Sequence, residues 1–359
     1  MNPFHYCSTN LLHRVIVSFV FILVGTVVIF PSDNPFIPCD TISIMAVGDI
    51  MLTRNVAIFQ SRRNFLSPVD SIIPVLNGCD FLTGNLESMI SDKGYPMEKI
   101  YNFRASPKQI ELLLGCGFDC LNLANNHAFD YHSPAFLDCI ERLDAAQISH
   151  VGGGENLVAA EQPYFEDVRG TMIGILGYND TKTNFYRSDI PCTAPLWGCE
   201  TIMKRALNNI EKYSGYCDIM LVHVHWGTED TLYPADRQID IARKMVDAGA
   251  DIIIGHHPHR LQGIEFYNNA VIVYSLGNFL FDQNDHVNNI GGILEIKVSE
   301  DNICSVSLIP TETLTIPRAV KPAADDLFSY AFALMEEISL LFNIEIENAN
   351  GKINFNRQK

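Results

Sequence analysis

The stretch Gly255-His256-His257-Pro258-His259 places three imidazoles within four residues. Ahead of it runs Asp251-Ile252-Ile253-Ile254, whose β-branched apolar stretch reads as a buried strand. Packing gives no reason to end such a strand in histidines. Imidazole is the commonest metal ligand, and Pro258 stiffens the backbone between two rings. His257-x-His259 therefore reads as part of a metal site, with His256 and His223 as weaker candidates.

Other apolar runs end in polar residues in the same way. The run 44–47 leads to Gly48-Asp49, 81–83 to Gly84-Asn85-Leu86-Glu87, and 121–123 to Ala124-Asn125-Asn126-His127. The run 219–224 leads to His225-Trp226-Gly227, and 271–274 to Ser275-Leu276-Gly277-Asn278. In open α/β sheets, ligands bind beyond the carboxyl ends of the strands. Six strands are thus expected to deliver Asp, Asn/Glu, Asn/His, His, His/His and Asn to one rim. Mixed carboxylate, amide and imidazole donors suit zinc, manganese or iron. The chemistry expected of them is metal-assisted hydrolysis, with water deprotonated near neutral pH.

The elements that must hold this rim are legible in a recurring joint. A helical pattern ends at Gly, an Asp follows within two or three residues, and a short apolar strand starts. The joint occurs at Gly78-Cys79-Asp80, Gly117-Phe118-Asp119, Gly215-Tyr216-Cys217-Asp218 and Gly249-Ala250-Asp251. Gly just past a helix supplies a left-handed residue at low cost. Repeated αβ joints predict a largely parallel sheet covered on both faces. Ser67-Pro68, Ser106-Pro107 and Ser133-Pro134 each read as an N-cap followed by Pro at the first helical position, and Ser106 with Gln109 as a capping box. Apolar spacing predicts helices near 200–214, 235–248 and 323–342, a strand over 171–178, and antiparallel edge strands over 291–310. Residues 179–198 read as a loop that covers the site.

The formal net charge is −17 over 359 residues, which argues against nucleic-acid binding and against adhesion to an anionic membrane surface. Residues 15–30 form an uncharged apolar run, preceded by His13-Arg14 and followed by Pro31-Ser32-Asp33. It reads as an uncleaved transmembrane anchor with the main domain outside the cell. Export permits disulfides, and Cys192 with Cys199 is the best-placed pair. Cys79, Cys120, Cys139 and Cys304 read as small buried apolar residues. None of the ten cysteines has CxxC spacing.

Taken together, Gly48-Asp49-Ile50-Met51, Asn85-Leu86-Glu87, Ala124-Asn125-Asn126-His127-Ala128-Phe129-Asp130-Tyr131, His225-Trp226-Gly227-Thr228-Glu229, Gly255-His256-His257-Pro258-His259 and Ser275-Leu276-Gly277-Asn278-Phe279-Leu280-Phe281 resemble the CapA family. These are poly-γ-glutamate capsule biosynthesis proteins, similar in turn to calcineurin-like metallophosphoesterases. The resemblance implies an α/β fold, a four-layer α/β/β/α sandwich over 41–310. It also implies a stub, single-pass anchor and linker over 1–40, and a helical extension over 311–359. By similarity, Asp49, Glu87, Asn126, His225, His257 and His259 would bind one or two divalent ions, with Glu87 in the bridging place and His127 as general acid. Arg54, Asn85, Glu229 and Asn278 are substrate-side candidates. The partners implied are an anionic polymer or phosphoester and other membrane capsule-synthesis proteins.

Phosphoesterases open with D-x-H, whereas this chain has Asp49-Ile50-Met51, and a thioether is a poor ligand for such metals. Their G-D-x-x-D is here Gly84-Asn85-Leu86-Glu87. Family members tend to carry Gly after the tyrosine that here precedes His132. Two functions follow from the resemblance. One is an external metal-dependent hydrolase or transferase, favoured by the clustered ligands and general acid. The other is a non-catalytic assembly or export component that keeps the fold, favoured by the missing histidine.

Overall fold

A computed structural model describes residues 41–62, 68–182, 189–283, 287–299, 302–314 and 318–358. The expected anchor, Cys7, Cys39 and Ser67 lie outside these residues. Among the described residues no helix is long and apolar enough to cross a membrane.

The strands of the two large sheets are, in chain order, β1 (Ile42–Ile50), β2 (Phe81–Leu86), β3 (Cys120–Asn122), β4 (Ser149–Val151), β5 (Tyr164–Val168), β6 (Thr171–Asn179), β7 (Ile219–His225), β8 (Ile252–His256), β9 (Ile264–Tyr267), β10 (Ala270–Val273), β11 (Asn278–Leu280), β12 (Ile290–Ser299), β13 (Asn302–Leu314), β14 (Ala319–Pro322), β15 (Ile344–Ala349) and β16 (Lys352–Arg357). The helices that cover them are α1 (Arg54–Arg62), α2 (Ile110–Cys116), α3 (His132–Ala145), α4 (Glu200–Ser214), α5 (Asp236–Asp247) and α6 (Asp325–Ser339). The first sheet has the order β15-β16-β13-β12-β1-β2-β3-β4, with β11 paired to β1 and β14 to β13. The second runs β9-β10-β8-β7-β6-β5. In the first sheet parallel pairing joins β11 to β1 and runs from β1 out to the edge strand β4, and in the second it occupies the middle, β6, β7, β8 and β10. Antiparallel strands lie on one side of the parallel part in the first sheet and on both sides in the second. A single parallel sheet was expected from the joints, because the joints report only the parallel pairs.

Side-chain alternation sorts the sheets into layers. Ile42 and Ile44 of β1 point with Ile219 and Leu221 of β7 into a core shared by both sheets. Met45 and Val47 point the other way, onto Leu112, Leu113, Phe136 and Leu143 of α2 and α3. Met220, Val222 and Val224 face Ala206, Ile210, Ile241 and Met245 of α4 and α5. The order is helices, sheet, sheet, helices.

The recurring aspartates have a structural task that spacing alone did not reveal. Asp80 N donates to Ser43 O at 2.8 Å while Ser43 N donates to Asp80 Oδ2 at 2.8 Å. Asp119 clamps Leu82 (3.0 and 2.7 Å), Asp218 clamps Met172 (2.8 and 2.7 Å) and Asp251 clamps Met220 (2.9 and 2.8 Å) in the same manner. Each carboxylate takes the first free N–H of the neighbouring strand and sets its register. Gly117 and Gly249 take left-handed backbone (φ 77 and 108°), but Gly215 has φ −70° and closes its joint without it.

Several local expectations are corrected. Ser106 caps a 3-10 turn, Pro107–Gln109, without a side-chain hydrogen bond, so no capping box forms. Ser133-Pro134 lie inside α3, which starts at His132, and Pro68 lies in a turn, the next helix being Ile73–Leu76. β12 and β13 are interior strands, since β16 and β15 continue the sheet beyond them. Residues 311–359 are therefore only partly helical. β13 runs through position 310, and after α6 the chain returns as the β15–β16 hairpin, with Ile353 and Phe355 in the central core. Cys192 and Cys199 are both free: one is buried in a short strand against Gly154, the other is exposed at the start of α4. Cys304 is exposed, not buried.

Candidate metal centre

The polar strand ends come from both sheets, not from one. Parallel register puts Asp49 beside Asn85 and Asn278, Asn85 beside Asn122, and His225 beside His256. Gly48 and Gly255 let the strands close in, since a Cβ there would stand 1.9 Å from Gly277 O and 2.0 Å from Tyr274 O.

Asp49 and Glu87 are fully buried. Asn85 Nδ2 donates to Asp49 Oδ1 at 2.8 Å and lies 3.5 Å from Glu87 Oε2. Its own Oδ1 accepts from Asn122 Nδ2 (2.9 Å) and Asn125 Nδ2 (3.3 Å), which turns its NH₂ toward the carboxylates. Asp49 Oδ2 takes the backbone N–H of His257 at 3.2 Å and lies 3.2 Å from His259 Nδ1. Glu87 Oε1 stands 3.8 Å from His127 Nε2, 3.9 Å from His225 Nε2 and 3.8 Å from His259 Nε2, and makes no hydrogen bond. His257 Nδ1 is a second buried atom without a partner. His225 Nε2 lies 2.9 Å from Asn126 Oδ1.

Among the described residues, two sets of donors have atoms within 4.8 Å of one another: Glu87, His257 and His259, and Asp49, Glu87 and His225. Glu87 belongs to both. The unpartnered Glu87 and His257 atoms, and the carboxylate–imidazole chemistry of the sets, fit a divalent cation. The backbone supports the same arrangement at a cost. His257 and His259 hold left-handed conformations (φ 95 and 57°) on either side of Pro258, each worth about 1–3 kcal/mol of strain.

The electrostatics follow from burial without enough N–H donors. Burial opposes the Asp49 charge, but His256 and His259 hold its carboxyl well below the usual range. Burial, then the charge of Asp49, pushes Glu87 well above it. Burial lowers His257 to about 3 and His225 well below the ordinary value, which leaves both rings neutral. Burial also disfavours charge on His259, but Glu87 and Asp49 raise it to about 10.

His127 is built as a dyad. Its Nδ1 donates to Asp130 Oδ2 at 2.7 Å. Asp130 also takes the Phe103 N–H at 2.6 Å and pairs with Lys99. Phe103 stacks on the imidazole at 4.1 Å between ring centres. Burial lowers the His127 pKa against the pull of Asp130. Asp130 stands three residues after His127 in the Asn-Asn-His stretch; that spacing was the available signal for a role the sequence reading did not assign it.

The remaining candidates fall differently. Asn85 and Asn278, expected on the substrate side, are fully buried and serve the site's own residues. Asn278 Oδ1 lies 3.0 Å from His259 Nδ1. Arg54 pairs with Asp282 (3.2 Å), which is itself paired with the buried Arg318 (2.9 Å). Glu229 is exposed and reaches Glu87 and His259 through its charge. Met51 packs with Phe103 and Phe281, and its Sδ accepts from Thr53 N (3.2 Å) and Oγ1 (2.8 Å). The place of the missing histidine is an apolar wall.

The family model described as "Bacterial capsule synthesis protein PGA_cap" matches residues 43–283. "Capsule biosynthesis protein CapA" of Bacillus anthracis is 30% identical over 293 residues, covering 80% of this chain and 71% of that one. "PGA biosynthesis protein CapA" of Bacillus subtilis (strain 168) is 35% identical over 247 residues, covering 68% of this chain and 64% of that one. The crystal structure of TT1561 of Thermus thermophilus superposes with TM-score 0.40 at 12% identity, over 71% of this chain and 94% of that one, too distant a likeness to bear on function.

Proposed function

The chain belongs to the bacterial capsule synthesis (PGA_cap) family, and from that premise we propose that it is a metal-dependent hydrolase or transferase of capsule or poly-γ-glutamate biosynthesis, acting on an anionic polymer or a phosphoester in the manner of a metallophosphoesterase. The observation that carries this reading is Glu87 Oε1, a buried carboxylate oxygen without a hydrogen bond, ringed by three imidazole nitrogens at 3.8–3.9 Å.

Asp49, Glu87, Asn126, His225, His257 and His259 would hold one or two ions of manganese, zinc or iron. A bound divalent cation supplies Lewis acidity toward a phosphoryl or acyl oxygen and makes water more acidic. The rest is done by the chain. Asn85 orients both carboxylates. His127 Nε2 faces the centre while Asp130 holds Nδ1, so the ring is placed to pass a proton to a leaving group. Phe103, Met51 and Phe281 wall that side against water. With a net charge of −17 an anionic substrate is repelled at long range. Attraction then has to come from the cation and from nearby Lys99, which pairs with Asp130.

The test is turnover of model phosphodiesters and of γ-glutamyl polymer by the full-length protein with added Mn²⁺ or Zn²⁺. Turnover of neither, by protein shown to hold metal, would sink the enzymatic reading. It would favour a non-catalytic assembly or export component working with other membrane capsule-synthesis proteins. One observation supports that second reading: Met51, where phosphoesterases carry a ligand histidine, is committed to Thr53. The cellular place we propose is the outer side of a cell membrane, tethered by the apolar run 15–30. Recovery of the full-length protein only in the soluble cytoplasmic fraction would count against it.

A further inference from the structure

A line of buried polar groups behind the site belongs to none of the roles above. Thr83 Oγ1 lies 2.9 Å from His223 Nε2, and His223 Nδ1 lies 2.9 Å from His256 Nε2. His256 Nδ1 stands 3.4 Å from Asp49 Oδ1, an approach too poorly aligned to count as a hydrogen bond, and has no hydrogen-bond partner. Thr83 and His223 are fully buried and His256 is 1% exposed. The line leaves the first sheet at Thr83, crosses β7 and β8 of the second, and returns to the first at Asp49.

Only two proton arrangements satisfy this line with neutral rings. In one, Thr83 O–H donates to His223, His223 Nδ1–H to His256, and His256 Nδ1–H to Asp49. In the other every donor reverses, and His256 Nδ1 presents a lone pair to a carboxylate oxygen. The second arrangement is repulsive unless that nitrogen is itself a cation ligand. A carboxylate accepts only, so the first arrangement alone turns every N–H and O–H of the line toward an acceptor, with the Asp49 carboxylate at 3.4 Å as the last one. The far end lies in the core between the sheets, without an exit to solvent, so the line cannot serve as a proton path.

We propose that Thr83, His223 and His256 form a one-directional hydrogen-bond line that fixes the Asp49 carboxylate, which makes His256 a positioning residue for cation binding. This rests on the reading of Asp49 as a ligand. Partners of this kind orient ligating groups, and their loss typically costs about 10- to 100-fold in metal affinity. Thr83→Val keeps the side-chain shape and touches nothing near the cation, yet it removes the donor that sets the direction of the line.

The experiment has two arms on the full-length protein. In the first, ¹⁵N-histidine NMR of chelator-treated protein reads the tautomers, with signals assigned from single variants. His223 and His256 are both expected as Nδ1–H; an Nε2–H tautomer at His256 overturns the proposal and makes that residue a direct ligand candidate. In the second, Mn²⁺ affinity is measured by calorimetry. His256→Ala is expected to lose about 10- to 100-fold. His256→Asn, which keeps an N–H near the Nδ1 position, recovers part of the loss. Thr83→Val weakens binding and mixes the His223 tautomers. Unchanged affinity in His256→Ala overturns the proposal, and if that variant fails to fold, Thr83→Val decides in its place. Absence of Mn²⁺ binding by the wild type would defeat the metal reading itself, and the tautomers alone would then decide the direction of the line.

Discussion

At Glu87 a carboxylate oxygen faces three imidazoles and bonds to none of them. Residues of this kind were legible in advance, because each stands where an apolar strand runs out. Their supporting groups were not. Asn122 and Thr83 look like ordinary strand residues, and only the neighbouring strands reveal that Asn122 turns Asn85 and that Thr83 meets His223. Asp130 supports His127, so Asp130→Asn is expected to lower kcat on a model phosphodiester by about 10²-fold or more, with metal content unchanged by elemental analysis. Away from the site, Asp138 accepts from Ser91 at 2.6 Å and Arg142 at 2.9 Å and pairs with Lys93 at 2.9 Å. Against the raising effect of burial, these partners lower its pKa to about 2. The unfolded chain then binds the proton more readily than the folded one. Stability from this group is present above about pH 4, the ordinary range of a free Asp, and is lost as pH falls toward 2. Asp138→Asn is expected to lower Tm at pH 7 and to flatten the fall of Tm between pH 4 and 2. A variant whose acid limb superimposes on the wild type would assign that limb to other carboxylates.

At the scale of elements, the αβ joints carried most of the fold. Helix followed by Asp-headed strand gave the parallel part of both sheets, because the same physics recurs at each joint. The joints could not reveal that there are two sheets. A strand buried on both faces reads alike in one sheet or two; the two-sheet order was expected from the family resemblance alone, and the structure shows it where Ile219 and Leu221 meet Ile42 and Ile44. The terminal hairpin did carry a signal that went unread: Ile344 and Ile346, then Ile353 and Phe355, alternate with polar residues around Asn350-Gly351, whose left-handed backbone (φ 55 and 75°) makes the turn. The clamps make a testable claim. Asp251→Ala leaves Met220 N without its acceptor at 2.8 Å and is expected to destabilise the protein by about 1–3 kcal/mol. Urea unfolding with an unchanged midpoint would show that water replaces the carboxylate at no cost.

For the whole molecule, β1 begins at Ile42, at the end of the strand opposite Asp49. Full-length protein is expected in the membrane fraction, and a chain starting at residue 41 in the soluble one. Recovery of both in the soluble fraction would remove the tether. The net charge of −17 sets the wider field, and added salt is expected to lower KM for an anionic polymer by screening that repulsion.

All of these scales meet in one quantity, the divalent metal that the site would hold. Full-length protein purified without chelators is to be compared with Glu87→Gln by elemental analysis, with circular dichroism on both. The expected result is one or two equivalents of manganese, zinc or iron in the wild type, and loss of that metal from a variant that keeps its fold. A metal-free wild type, or a folded Glu87→Gln that retains its full complement, would contradict the centre described above.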